Sequence, residues 1–185
     1  MERLILASSS PRRRELLSLL GVPFTVVATS VDEGPEAMGS PAETANLSLA
    51  KARAAAEFHR GGLIVAADTV VVYRGEIMGK PADPAEAASM LQRLRGRKHR
   101  VFSGLAVLDP CSQEDITQLV ETVVWMRNYS DDEIARYVAS GEPMDKAGAY
   151  AIQDRDFRPV ERVEGCYASV MGLPLCHLVT VHVAA

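Results

Sequence analysis

The chain has 185 residues, 48% of them hydrophobic and 24% charged, the balance of one globular domain large enough to bury a core. Its net charge of −4 argues against a general nucleic-acid binder, which would be basic overall, and leaves the "PRRR" cluster as a local feature suited to a small anionic ligand. The cysteines, Cys111, Cys166 and Cys176, stand far apart without a CxxC pair, and no apolar run reaches signal-peptide or membrane-spanning length, so the expectation is a soluble cytoplasmic protein with no disulfide framework, zinc site or membrane contact.

In chain order, Leu4 to Ala7 ("LILA") reads as a buried strand. "PRRRELLSLLG" follows as a helix, with Pro11 at its first position and Gly21 just past its end. "FTVVAT" is a second strand. After the turn-rich "DEGPEAMGSPAE", a helix is expected from about Pro41 to His59, rich in Ala, Leu, Lys and Glu. "GLIVAADTVVVY" is a β-branched strand run, "RGE" a turn and "IMG" a short strand. "PADPAEAASMLQRLRG" opens a helix with Asp83 as N-cap and Pro84 at N1, and closes it with Gly96. "KHRVFSGLAVL" and "ITQLVETVVWMR" read as long strands joined by the polar turn "DPCSQED". "SDDEIARYVASGE" carries a capping box, Ser130 with Glu133, and a C′ glycine, Gly141. "PMDKAGAYAIQD" reads as a glycine-containing loop, "FRPVERV" as a strand and "LPLCHLVTVHVA" as a closing helix or strand. Helices alternating with strands, plus a central hairpin, predict an α/β fold with a mixed sheet in a single domain over residues 1–185.

The stretch "LASSSPRRRELL" places arginines where the helix dipole is already positive, which is unfavourable by about 0.3–1 kcal/mol for each charge that stays close. Glu15 offsets only part of that. A strand, small polar residues and a helix N-terminus together form an anion-binding architecture, because first-turn N–H groups point at the ligand. A lone arginine would read as solvated; three beside "SSS" read as a phosphate site. Successive helical residues lie about 100° apart, so only one or two of Arg12, Arg13 and Arg14 face one ligand.

Asp68 and Thr69 interrupt a strand that is otherwise apolar on both faces. An ionised carboxylate there needs a pair, hydrogen bonds or a metal, unless it caps a turn at a strand end. With Arg74-Gly75 as a two-residue turn, Tyr73 faces Glu76, and the register carries Lys80 opposite Thr69 and next to Asp68. Alternation points Asp68 and Thr69 to opposite faces, so both line one site only if the strand ends or bends there. Glu33, in "SVDEG", could share a divalent metal with Asp68, since such ions prefer oxygen ligands and bridge to substrate phosphates. The histidines lack metal-ligand spacing.

Taken together, "LILASSSPRRRELL", "VDE", "AKARA", "AADTVV", "GKP", "GEPMDKAGAYAIQ" and "GLPL", in that order from about Leu4 to Leu175, resemble the Maf family of nucleoside triphosphate pyrophosphatases. The resemblance implies an elongated mixed β-sheet flanked by helices with a nucleotide cleft, similar to the inosine-triphosphate pyrophosphatases. It also implies hydrolysis of a nucleoside triphosphate to the monophosphate and pyrophosphate, a divalent cation (Mg²⁺ or Mn²⁺), and a homodimer. The family's proton acceptor falls on Asp68, with Lys80 beside it as the second catalytic residue. Substrate-selective positions fall on Arg12, Thr69 and Gln153. Phosphate and metal contacts fall on Ser8, Arg13, Glu33, Lys51 and Lys80, with Glu33 and Asp68 as the metal-holding pair.

"ADT" and "DKAGAYAIQ" resemble the branch acting on dTTP and UTP rather than the branch acting on modified nucleotides such as 7-methyl-GTP. Gln153 suits a pyrimidine, since its amide offers the donor and acceptor that an imide edge requires. The family usually has glycine after this glutamine, whereas this chain has Asp154, which is expected to reshape the base pocket. The role implied is house-cleaning of the nucleotide pool; the alternative is a non-catalytic nucleotide-binding regulator of division and septum formation.

Overall fold

The computed structural model describes residues 3–29, 31 and 40–183. Its backbone is a mixed sheet built on β1 (Leu4–Ala7), β2 (Phe24–Val27), β3 (Leu63–Tyr73), β4 (Glu76–Met78), β5 (Lys98–Leu108), β6 (Asp115–Met126) and β7 (Val160–Glu164). The strand order is β2-β1-β3-β5-β6-β7, with β4 pairing β3. β1 runs parallel to both β2 and β3; the remaining pairs are antiparallel. Packed around the sheet are α1 (Pro11–Ser18), α2 (Glu43–Ala56), α3 (Pro84–Leu94), α4 (Asp131–Ala139), α5 (Tyr167–Met171) and α6 (Leu175–Val183). The expected mixed sheet with flanking helices is therefore present.

Local signals operate as their chemistry dictates. Pro11 and Pro84 start their helices, and Asp83 accepts the Glu86 N–H as N-cap. Ser130 and Glu133 close a capping box on α4. Arg74 and Gly75 both take positive φ, 53° and 85°, as a two-residue hairpin turn requires, and Tyr73 pairs Glu76. The segment expected as a loop after Gly141 holds two 3₁₀ turns, Glu142–Asp145 and Ala147–Ala149. The closing segment is helical: α5 ends at Gly172, in left-handed conformation, and α6 follows.

The two faces of β3 explain where the site falls. On one face, Ile64 and Ala66 pack with Ala52 and Ala55 of α2, while Val70 and Val72 join a separate cluster with Phe102. On the other, Val65 and Ala67 pack with Leu16, Leu17 and Leu173, while Val71 and Tyr73 belong to the cluster around α3 and α4. Both faces of the apolar core break at the same place, Asp68 and Thr69.

Candidate active site

The edges of β3 break there too. Its ladder with β1 ends at Leu6–Val65, and that with β4 begins at Val71–Met78. Between those points Ala66 to Val70 keep β5 on one edge, while the other edge opens into a cleft of about 610 Å³. Asp68 and Thr69 both line it. The expectation that this needs a strand end or a bend is corrected: β3 continues to Tyr73, and a gap between two neighbouring strands exposes both side chains to one cavity.

On the α2 side, Asp68 Oδ1 accepts a hydrogen bond from Lys51 Nζ at 2.7 Å, and both side chains are buried. The helix is held close by Gly104, the β5 partner of Asp68: a Cβ there would lie 2.3 Å from the Thr44 carbonyl oxygen. Thr44, Ser48, Lys51 and Ala55 share the buried face of α2 at helical spacing, so seating Thr44 on Gly104 aims Lys51 at Asp68. Among the described residues the cation seen bonded to Asp68 is thus Lys51, expected among the phosphate contacts. β4 ends at Met78, and Lys80 lies exposed on the cleft wall, within the segment that Gly79 ties to the opposite loop by accepting the Gly148 N–H at 3.0 Å.

The serine-arginine stretch forms the facing wall. Ser8 is buried; its Oγ accepts the Ser10 N–H at 3.2 Å and an N–H of Arg13 at 3.2 Å. Arg13 Nε also donates to the Gly172 carbonyl at 2.8 Å, so its guanidinium is fixed before any ligand arrives. Ser10, the N-cap of α1, makes no side-chain cap bond, and the first turn holds no acidic residue. Among the described residues, neither a Ser10 cap nor a first-turn carboxylate competes with an anion for its backbone N–H groups. Arg12 points instead to the 3₁₀ turn, donating to Asp145 Oδ2 at 2.9 Å and to its carbonyl at 3.3 Å. Partial burial pushes the Asp145 carboxyl up, but hydrogen bonds from Lys146 and Arg12 outweigh this and leave it below the ordinary carboxylate range. Arg14 is exposed and lies off the cleft, so two of the three arginines face it, as helical spacing requires.

Thr69 Oγ1 lies 2.8 Å from Ser103 Oγ, and Gln153 and Tyr150 also line the cavity. Asp154 does not enter it. Its carboxylate accepts the N–H groups of Asp156 and Phe157 at 3.1 and 2.7 Å, an Asx turn that closes its own loop. Any reshaping of the base pocket by this residue acts through the fold of its loop, not through a side chain in the cleft. Tyr150 and its buried partner His99, whose Nε2 lies 2.8 Å from the phenol oxygen, were missed by the sequence reading, because single aromatic and histidine residues in apolar runs look like core.

Glu33 lies outside the described residues. Among those described, no group of three or more His, Cys, Asp or Glu is placed to hold a metal ion. Magnesium-like ions are commonly held by one or two carboxylates together with substrate phosphates, and the Asp68 carboxylate, in a cleft that the Ser8 hydroxyl also lines, is donor chemistry of that kind. The described residues fit a cation that arrives with a polyphosphate. Among them no helix is long and apolar enough to cross a membrane.

Comparison with known proteins agrees with this geometry. The sequence model of the family described as "Maf-like protein" matches residues 3–183. A dTTP/UTP pyrophosphatase of Dictyoglomus turgidum is 49% identical over 179 residues, covering 96% of this chain and 93% of that protein. Proteins of the same name from Pelotomaculum thermopropionicum and Methanosarcina mazei are 47% and 46% identical, each over 96% of this chain and over 94% and 91% of their own lengths.

Proposed function

The chain belongs to the Maf-like protein family, and on that premise we propose that it hydrolyses nucleoside triphosphates, dTTP and UTP preferred, to the monophosphate and pyrophosphate. The observation that carries the reading is the buried Asp68–Lys51 pair at the open edge of β3, facing Ser8, Arg13 and the α1 N-terminus across one cleft. A carboxylate capable of accepting a proton thus stands opposite a prepared anion site.

In this reading the triphosphate lies along the α1 N-terminus, with Arg13 and Lys80 against its oxygens. Lys51 fixes one oxygen of Asp68, leaving the other to orient a water and take its proton as the water attacks the α-phosphorus. Pyrophosphate then leaves towards the cationic wall, where charge stabilisation and positioning supply most of the rate enhancement. Asp68 and Glu33 would hold a divalent cation, Mg²⁺ or Mn²⁺, which would supply further neutralisation of the phosphates. Arg12, Thr69 and Gln153 read the base. The Gln153 amide NH2 donates to a ring carbonyl of uracil or thymine.

The test is pyrophosphate release from dTTP, UTP, CTP, GTP, 7-methyl-GTP and dITP with each metal. Turnover concentrated on dTTP and UTP, and nearly abolished in Asp68→Asn, is the expected result. Substantial residual turnover in Asp68→Asn would remove Asp68 from the chemistry, and tight nucleotide binding with no pyrophosphate release would make the protein a regulator instead.

A further inference from the structure

Ser103 stands on β5 as the direct partner of Thr69, wholly buried beneath the cleft floor. Its Oγ is 2.8 Å from the Ser169 carbonyl oxygen of α5 and 2.8 Å from Thr69 Oγ1. A serine hydroxyl carries one proton and the carbonyl can only accept, so that proton goes to Ser169. The same carbonyl accepts the Gly172 N–H at 2.9 Å, which uses its second lone pair. Ser103 is then an acceptor towards Thr69, and Thr69 must donate its only proton inwards. Reversing the chain would leave two buried oxygens in contact without a proton between them. What Thr69 offers the cleft is lone pairs alone.

We propose that Ser103 is a specificity-determining residue: by taking the Thr69 proton it makes the Thr69 hydroxyl an obligate acceptor, which selects a pyrimidine imide over cytosine. The inference rests on the reading of Thr69 as a base contact. An acceptor-only oxygen repels phosphate oxygens and must be matched by a donor. Set against N3, the contact proposed here, that oxygen attracts uracil and thymine, whose N3 carries a hydrogen, and repels cytosine, whose N3 is a bare acceptor. Against the 4-position the preference would reverse, because cytosine carries an amino donor there and uracil a carbonyl. Ser103, buried under Thr69, acts through it and is a positioning residue. A site that relied on a freely rotating threonine would accept either base, since the hydroxyl would donate to cytosine and accept from uracil.

The test measures affinities of the non-hydrolysable α,β-imido analogues of UTP and CTP by calorimetric titration, a readout independent of turnover. In the wild-type protein the uridine analogue binds more tightly. In Ser103→Ala the Thr69 hydroxyl rotates freely, and the uridine-to-cytidine preference is expected to fall about fivefold, mostly through tighter binding of the cytidine analogue. Ser103→Cys, which fills the same space with a weaker donor and acceptor, should fall between, and it carries the test if the alanine variant does not fold. A merely structural role for Ser103 would weaken both analogues together and leave their ratio unmoved, which would overturn the proposal. Thr69→Val separates the two levels. If it leaves the ratio unchanged, Thr69 does not read the base and the underlying reading fails with it. If Thr69→Val collapses the ratio while both Ser103 variants preserve it, only the role of Ser103 is refuted.

Discussion

Replacing Lys51 by Met removes a charge while keeping an unbranched stem between α2 and β3. Asp68 Oδ1 and Lys51 Nζ are 2.7 Å apart with both residues buried, so the variant strands a carboxylate inside the protein. Breaking a buried pair from one side costs about 3–5 kcal/mol. Because Asp68 borders the cleft, water recovers part of the lost solvation, and the lower end, about 3 kcal/mol, is expected. For a chain of this length that corresponds to a Tm lower by roughly 6–12 °C. Urea unfolding at neutral pH measures it directly, with calorimetry as the second probe. The double variant Lys51→Met with Asp68→Asn leaves neither charge stranded and should regain most of the stability while remaining inactive. That pattern separates the pair's structural cost from its part in turnover, and the cycle reads the coupling between the two residues. A single variant within about 1 kcal/mol of the wild type, or a double variant no more stable than the single, would refute this account of the pair.

Gly104→Ala places a methyl group 2.3 Å from the Thr44 carbonyl oxygen and 2.7 Å from Ala45 Cα, backbone atoms that cannot rotate aside. The helix must lift, so a loss of about 1–3 kcal/mol is expected together with reduced turnover as Lys51 retreats from Asp68; an unchanged melting temperature and activity would refute the close seating of α2. His99 is buried against the Tyr150 hydroxyl, and burial pushes its imidazole from 6.5 down to about 4. The unfolded chain therefore takes up this proton near pH 6.5 while the folded protein refuses it, so stability is full above that pH and falls as pH drops towards 4, by about 3 kcal/mol. Denaturation profiles of the wild type and His99→Gln should diverge across this window, the variant losing less; parallel profiles would show that His99 does not govern the acid limb.

The parts of this molecule that were legible in the sequence are those set by neighbours along the chain. Proline starts, the Asp83 cap, the Ser130–Glu133 box and the Arg74-Gly75 turn each depend on a few consecutive residues, and each formed as read. A polar pair in the middle of an apolar strand marked the site because burial of a charge demands a partner. The partner's identity was not legible. Lys80 is expected near Asp68 because sequence can count a hairpin register, whereas Lys51 reaches it through the seating of α2 on Gly104, a tertiary contact with no local signature. The Ser103 relay was hidden for the same reason: it exists only once β3, β5 and α5 are assembled. The placement of Asp154 was not legible either: an unusual residue beside a binding motif suggests the pocket lining, while its carboxylate bonds nearer backbone donors.

The cations around the cleft are not equivalent, and their surroundings decide what each can do for an incoming anion. Lys51 is committed to Asp68 in a buried pair whose separation would be expensive. Arg13 is clamped by the Gly172 carbonyl and the Ser8 hydroxyl, so it presents its guanidinium with little rotamer entropy left to lose. Arg12 differs from both. Its partner Asp145 has a side chain 62% exposed, and ion pairs of that kind are worth about 0–1 kcal/mol. Asp145 also accepts from Lys146 at 2.7 Å, so it keeps a cation when Arg12 departs. Of the three, Arg12 is the one a ligand can recruit at the lowest cost. A fixed arginine, a buried lysine and a releasable arginine therefore divide the work within one cleft: the first holds the anion's place, the second holds the carboxylate, and the third is free to follow the ligand. That division arises because the sheet leaves the middle of β3 without a neighbour on one edge, so groups from both of its faces meet in a single cavity.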